Sequence, residues 1–337
     1  MKRYNAAIRI EAILVMASLA LSVLGTSAAE VDIEVPVGGD IQAAIDTAAS
    51  VDGGGTVILK KGTHTIDVPL KLWSNVTVRG EGSLESSLKT AKNIKMITAS
   101  TNGLSNLVIR NLVIIGTNAE KGGGIHLVSY EKDHENITIS NVHVFNTGWG
   151  VHIKGAKNLV IENCNFSRNG TKGEEGYAHN LYLRRCYTVK VSNCIFNDCI
   201  SANGVNISYS RDIGVVNCRM IGNHFRGIRA ADSDGFKVHN CVIAKNGTVG
   251  LLANTEKAVT KNIDWRNNQV FENGAEGIYT RDGATGVCEN NNAFGNKKGD
   301  YRLSKQVSNS GNTSDPKADP SQNDSHAPFY PRSPSGS

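Results

Sequence analysis

Along most of the chain, short runs alternate apolar and variable residues, and the runs recur. Val151-His152-Ile153, Leu181-Tyr182-Leu183, Val205-Asn206-Ile207 and Ile228-Arg229-Ala230 share one form: two apolar positions flank an outward one. Period two is the signature of a strand with one buried face, and no helical period intervenes between runs. The inward pairs read from it are Ile125/Leu127, Val151/Ile153, Leu181/Leu183, Val205/Ile207, Ile228/Ala230, Leu251/Ala253 and Ile278/Thr280. A polar turn marked by asparagine accompanies each run. Asn111, Asn141, Asn163, Asn193, Asn217, Asn240, Asn267 and Asn290 are spaced by 30, 22, 30, 24, 23, 27 and 23 residues. Self-similarity at this period means stacked units, each one supersecondary element that buries its apolar side only against its neighbours. At these turns asparagine tolerates left-handed backbone angles, and its amide can bond from coil to coil.

The expected fold is therefore all-β: a single right-handed parallel β-helix, a solenoid with a short N-terminal capping α-helix. Residues 40–49 supply the cap. Asp40 stands at a helix start, and Ile41, Ala44, Ile45 and Ala48 fall at helical spacing. A solenoid exposes its core at its ends, so an amphipathic cover is needed there. Strands are expected at Thr56-Val57-Ile58-Leu59 and over residues 75–80. The coils occupy residues 30–307, and residues 308–337, rich in Ser, Asn, Pro and Gly, read as a flexible tail.

Three features of composition change this picture. Lys2 and Arg3 followed by an apolar run at residues 12–24, with Ser27-Ala28-Ala29 behind it, form a signal-peptide pattern over residues 1–29. The protein is then secreted or periplasmic, with no membrane insertion. Of the seven cysteines, Cys164, Cys194, Cys218 and Cys241 each follow a ladder asparagine, so they stack as one inward column of free thiols. Cys186, Cys199 and Cys288 have no assignable partner. The net charge of +5 is mild, so its placement matters more than its size.

Stacking the alternating runs places the outward residues in columns. The central column reads His126, His152, Tyr182, Asn206, Arg229, Leu252, Tyr279 and Arg302. Two residues later come Val128, Lys154, Arg184, Ser208, Ala231, Asn254, Arg281 and Ser304. The turn column, three residues earlier, reads Gly123, Trp149, His179, Asn203, Arg226, Val249, Glu276 and Gly299. The longest interval from a ladder asparagine to the central column is the 19 residues from Asn163 to Tyr182, which include an insertion at 171–178 ending at His179. Insertions in a solenoid map to one face, often the binding face. Basic, aromatic and amide groups converge there with almost no acid. Hydrolysis of a glycoside needs paired carboxyl groups, and the central coils offer none. No cofactor is expected; calcium would want several carboxylates, and only the Glu174-Glu175 pair in the insertion could contribute. Elimination from a uronic-acid polymer fits these residue types. Arginine and asparagine neutralise the substrate carboxylate, and histidine or tyrosine moves protons.

The segment GGDIQAAIDTAASVDGGGTVILKKGTH, residues 38–64, is similar to the cap and first coil of exported carbohydrate-active β-helix proteins, and the coils cover roughly residues 75–305. The chain resembles right-handed parallel β-helix polysaccharide lyases, most of all alginate lyases of polysaccharide lyase family 31. The DPHD motif of β-helix alginate epimerases is missing, as is the aspartate set of polygalacturonase-type hydrolases. The resemblance implies a lyase on an anionic polysaccharide, alginate in the first instance; a C5-epimerase, a pectate-type lyase and a non-catalytic carbohydrate-binding solenoid are the alternatives. It transfers no individual catalytic residue, so the site rests on the columns. His179 and Tyr182 are the expected proton-transfer pair, with Asn203 and Arg229 on the substrate carboxylate and Arg226 in reserve. An arginine neighbour would favour the phenolate of Tyr182. Arg229 stands two coils from Tyr182, about 9–10 Å by strand spacing. His126, Trp149, His152, Lys154, Arg184, Asn206, Arg226, Tyr279 and Arg281 line the expected binding groove, and His152 is the rival for the histidine role. The expected partner is the polysaccharide alone, with no nucleic acid, and the protein is expected to be a monomer.

Overall fold

A computed structural model describes residues 31–173 and 175–316. The signal-peptide pattern lies outside the described residues, as do Glu174 and residues 317–337. Every strand pairing is parallel and joins one coil to the next, in a solenoid of about 12 turns. The helix Ile41–Ser50 closes the N-terminal end. Asp40 caps it by accepting the Ala43 N–H at 3.0 Å, and Ile41, Ala44, Ile45 and Ala48 are its buried residues. Beneath the helix, the first coil pairs Val31–Val35 with Gly55–Leu59, and the latter with Val76–Gly80.

Each central coil has three sides. The first carries Gly123–Val128, the front half of Trp149–Glu162, the front half of Leu181–Ser192, then Val205–Ser208, Ile228–Ala231, Leu251–Asn254 and Ile278–Thr280. The register on this side is the expected one: His126, His152, Tyr182, Asn206, Arg229, Leu252, Tyr279 and Arg302 are successive partners. All seven inward pairs are buried. The reason is geometric, since side chains alternate along a strand and every second one faces the core.

The eight ladder asparagines all have positive φ, between 51° and 56°. Asn141 donates to Asn111 at 2.9 Å and Asn217 to Asn193 at 3.3 Å, so the amides bond between coils at these turns. The cysteines also stand as expected. Cys164, Cys194, Cys218 and Cys241 are buried free thiols, and the column continues as Asn268, Asn291 and Asn312. Burial pushes Cys186 and Cys288 up to about 12 and Cys199 to about 11, so these thiols stay neutral and inert. The stacking continues past residue 307. Val307–Ser310 pairs with Gly286–Glu289, and Thr313 bridges Asn292.

A second, buried ladder holds the corner ahead of the first side: Asn180, Asn223, Asn246, Asn273 and Asn296. Asn246 is typical. Its Oδ1 accepts the Asn223 N–H and Nδ2–H at 3.1 and 2.9 Å, while its Nδ2 donates to the Met220 carbonyl at 3.0 Å and to Asn273 Oδ1 at 2.9 Å. Glycine makes room for it: a Cβ at Gly227 would lie 2.9 Å from Asn246 Nδ2 and 2.3 Å from Ile243. Replacing Asn246 by leucine would leave donors and acceptors buried without partners on both neighbouring coils. The expected loss in stability is about 3 kcal/mol or more. Denaturant unfolding of Asn246→Leu checks it; an unchanged midpoint would show that the ladder contributes nothing net.

Candidate functional site

The outward columns of the first side form the floor of a groove. Asn206 and Arg229 point away from the core and yet are only 5% and 7% exposed, with Asn203 bonded to Asn206 and Glu256 seated on Arg229. Toward the N-terminal end, five rings gather. His152 stacks on Tyr182 with centroids 4.8 Å apart and planes 15° apart, and Trp149 stacks on His152 at 5.2 Å. His179 meets Tyr182 edge-on at 5.3 Å, and His126 meets His152 the same way at 4.8 Å. Lys95, which the sequence reading did not single out, lies with its Nζ 3.1 Å from His126 Nε2.

These imidazoles are neutral. Burial, then Lys95, pushes His126 down to about 4. Burial first, then His126, His179, Lys95 and Lys154, brings His152 to about 2. Burial, then Arg229 and Arg226, brings His179 to about 3. The backbone fixes the tautomer of His179. Its Nδ1 accepts the Asn203 N–H at 3.1 Å, so the ring proton sits on Nε2 and this nitrogen is a donor. A group held this way offers a hydrogen bond and is poorly placed to receive a proton. Both ring nitrogens of His152 have no partner among the described residues. The Tyr182 hydroxyl lies 3.1 Å from Ser208 Oγ and 3.5 Å from Arg184 Nη1.

Toward the C-terminal end the groove is cationic, with its amides engaged. Asn203 Nδ2 and Arg229 Nη1 both donate to Asn206 Oδ1 at 3.1 Å, and Asn203 Oδ1 accepts the Arg226 N–H at 3.2 Å. Arg229 also forms an ion pair with Glu256, an acid outside the three columns. Arg226 lies beside them. Its Nε is buried with no partner among the described residues, and burial, then Arg229, holds it below the ordinary arginine value. Of the sequence-derived cations, Lys154 lies over the Tyr130 ring at 3.5 Å and Arg184 over Tyr209 at 5.1 Å. Arg281 and Arg302 flank Tyr279, and Arg302 also bonds Glu276 at 3.3 Å. The structure thus brings His126, Trp149, His152, His179, Tyr182, Asn203, Asn206, Arg226 and Arg229 into one contiguous patch. Tyr279 and Arg281 lie further along, beyond Leu252.

Glu256 escaped the sequence reading because its insertion follows the strand. The 27-residue interval from Asn240 to Asn267 carried the signal: its extra residues fall after Leu252, behind the central column and not ahead of it. Among the described residues no group of three or more His, Cys, Asp or Glu could hold a metal ion, and Glu174 lies outside them. No described helix is long and apolar enough to cross a membrane.

A parallel solenoid with a covered polar groove on one side defines the class. The chain belongs to the right-handed β-helix family, whose right-handed β-helix region matches residues 85–235 and 175–315. No curated protein matches the chain. Among solved structures, it is similar to the A-module of the mannuronan C-5 epimerase AlgE4 of Azotobacter vinelandii, with 20% identity and a TM-score of 0.70, covering 81% of this chain and 82% of that one. It is also similar to the Streptococcus pneumoniae surface adhesin PfbA (17% identity, TM-score 0.58, 81% and 87% covered). A third similarity is to the periplasmic alginate epimerase AlgG (14% identity, TM-score 0.54, 83% of each chain covered). At these identities the likeness concerns the fold.

Proposed function

We propose that the protein is an exported polysaccharide lyase that removes the C5 proton of a uronate residue in an acidic polysaccharide, alginate foremost. The observation that supports this most is the juxtaposition of a neutral ring cluster with Arg226, whose Nε has no partner among the described residues, and the lack of any described carboxylate among the rings. A uronate carboxylate placed on Arg226 is neutralised, which acidifies the adjacent C–H. His179 Nε2–H donates to the same carboxylate as charge moves onto it. Tyr182, reacting as the phenolate, takes the C5 proton, the freed electron pair forms the C4–C5 double bond, and the C4–O bond breaks. The proton on Tyr182 then passes to the departing glycosidic oxygen, so the step balances without a co-reactant. His152 lies flat against Tyr182 and orients its ring.

A second reading shares the first half of this step. Two of the similar structures are named as alginate or mannuronan epimerases, which favours reprotonation at C5 over bond cleavage. One experiment separates the outcomes. The protein is mixed with alginate, polymannuronate and pectate in D₂O, and the ultraviolet absorbance of unsaturated uronate is followed together with deuterium at C5. Rising absorbance identifies the lyase, and deuterium without absorbance the epimerase. Neither signal on any polyuronate defeats the catalytic proposal and leaves a binding protein. Binding itself should weaken as salt rises, because exposed cations such as Arg281 contribute through screened charge. Titrations at low and high ionic strength check this; equal affinity for a neutral glucan would count against it.

A further inference from the structure

On the coils before and after Tyr182, the first side passes into the second through tight turns. Asp232 and Ser233 are the only residues between Ile228–Ala231 and Asp234–His239. One coil later the connection from Leu251–Asn254 to Ile263–Arg266 is longer, and residues 255–261 form a small loop. The loop is pinned in place. Asp232, with φ at 52°, accepts three backbone N–H groups through one oxygen: Glu256 at 2.9 Å and Lys257 and Ala258 at 3.0 Å. Thr260 Oγ1 donates to the Asn254 carbonyl at 2.7 Å, and the Lys261 N–H to the Ser233 carbonyl at 2.9 Å. This anchoring sets the Glu256 carboxylate on the guanidinium of Arg229, one coil back, with the Arg229 side chain 9% exposed and that of Glu256 52% exposed. Three convergent N–H donors on one carboxylate fix the loop firmly, while the glutamate they position stays half in solvent.

We propose that Glu256 is a built-in competitor that occupies, in the free protein, the place on Arg229 that a second uronate carboxylate of the same polymer takes, next to the one held by Arg226. The inference rests on the uronate reading above and adds a specificity determinant to it. With Glu256 seated, the charge of Arg229 is already balanced, so a neutral sugar gains nothing by displacing it. A uronate exchanges one carboxylate for another and so keeps the guanidinium paired throughout. Affinity for the acidic chain is lowered in exchange for discrimination, and release of the acidic product is quickened as Glu256 returns.

The sign of one substitution decides this. Glu256→Gln removes the competing charge and keeps the shape, and the half-exposed position leaves folding intact, which thermal melting verifies. Dissociation constants are measured by calorimetry for hexamers of mannuronate, guluronate and galacturonate, with cellohexaose as the neutral probe. The expected result is tighter uronate binding by about 5–20-fold, with cellohexaose unchanged. In an Arg229→Gln background the same substitution should change binding by less than about 2-fold, because the two residues act as one pair. If Glu256 merely orients Arg229, Glu256→Gln weakens uronate binding; that result, or no change, overturns the competitor and leaves the uronate reading standing. If neither wild type nor Glu256→Gln binds any hexauronate, the uronate reading falls and the competitor falls with it.

Discussion

Tyr182→Phe should lower kcat by about 10²–10⁴-fold, the range over which a positioned proton-transfer group acts, with KM little changed. The substitution removes one oxygen and nothing else of the site. The ring keeps its stack on His152, and Ser208 and Arg184, which flank the hydroxyl at 3.1 and 3.5 Å, remain in place. His179 gives a second, graded comparison. Because its Nδ1 is occupied by the Asn203 N–H, the ring contributes a donor at Nε2. A glutamine can offer a donor there, so His179→Gln should retain distinctly more activity than His179→Ala. Equal losses in the two would mean that the imidazole itself moves a proton. Near-normal turnover in Tyr182→Phe together with an inactive His152→Ala would shift the centre one coil toward the N-terminus, onto the imidazole whose nitrogens have no partner.

Much of this arrangement was legible because a parallel solenoid turns sequence period into spatial adjacency. Leu181, Val205 and Ile228 could be placed on one inward line, and Tyr182, Asn206 and Arg229 on one outward line, from alternation alone. The left-handed asparagines and the thiol column followed from the same period. What stayed hidden depends on the backbone between the periodic positions. The tautomer of His179 is set by an amide N–H of the next coil, which no side-chain pattern displays. The buried ladder through Asn223, Asn246 and Asn273 lies at an irregular corner, where its regular recurrence was overshadowed by the asparagines of the outer turns. Glu256 approaches Arg229 from a neighbouring coil over a loop anchored to Asp232, so no column contains it. Arg229 consequently looked like a free cation in the sequence and is a paired one in the fold. Arg226, expected in the groove but only in reserve for the carboxylate, is the guanidinium whose Nε has no partner among the described residues.

The same burial that keeps the histidines neutral makes acid the condition under which the fold should fail. His134 is fully buried; its Nδ1 accepts the Leu104 N–H at 2.9 Å and its Nε2 has no partner among the described residues. Burial lowers its pKa, against an opposing pull from Asp133. His179 is locked through Nδ1 in the same way and is pushed down to about 3 by burial, then Arg229 and Arg226. In both cases the folded value lies below that of the unfolded chain, about 6.5. The unfolded chain therefore binds more protons below that pH. The stability these groups permit is complete above it and lost as pH falls toward the folded values. His179 alone costs about 1.4 kcal/mol per pH unit across its window, a noticeable share of a typical 5–15 kcal/mol, and His134 acts in the same direction. Burial lowers His126, His143 and His152 as well, so they act in the same direction. Asp232 and Asp264 have lowered values and act in a separate window, below the ordinary carboxylate range. The acid transition followed by circular dichroism should thus begin soon below pH 6.5. In His134→Asn/His179→Asn, where an amide oxygen replaces each Nδ1 acceptor, the onset should move toward the carboxylate window. An onset that stays where the wild type has it would place the acid sensitivity on other groups.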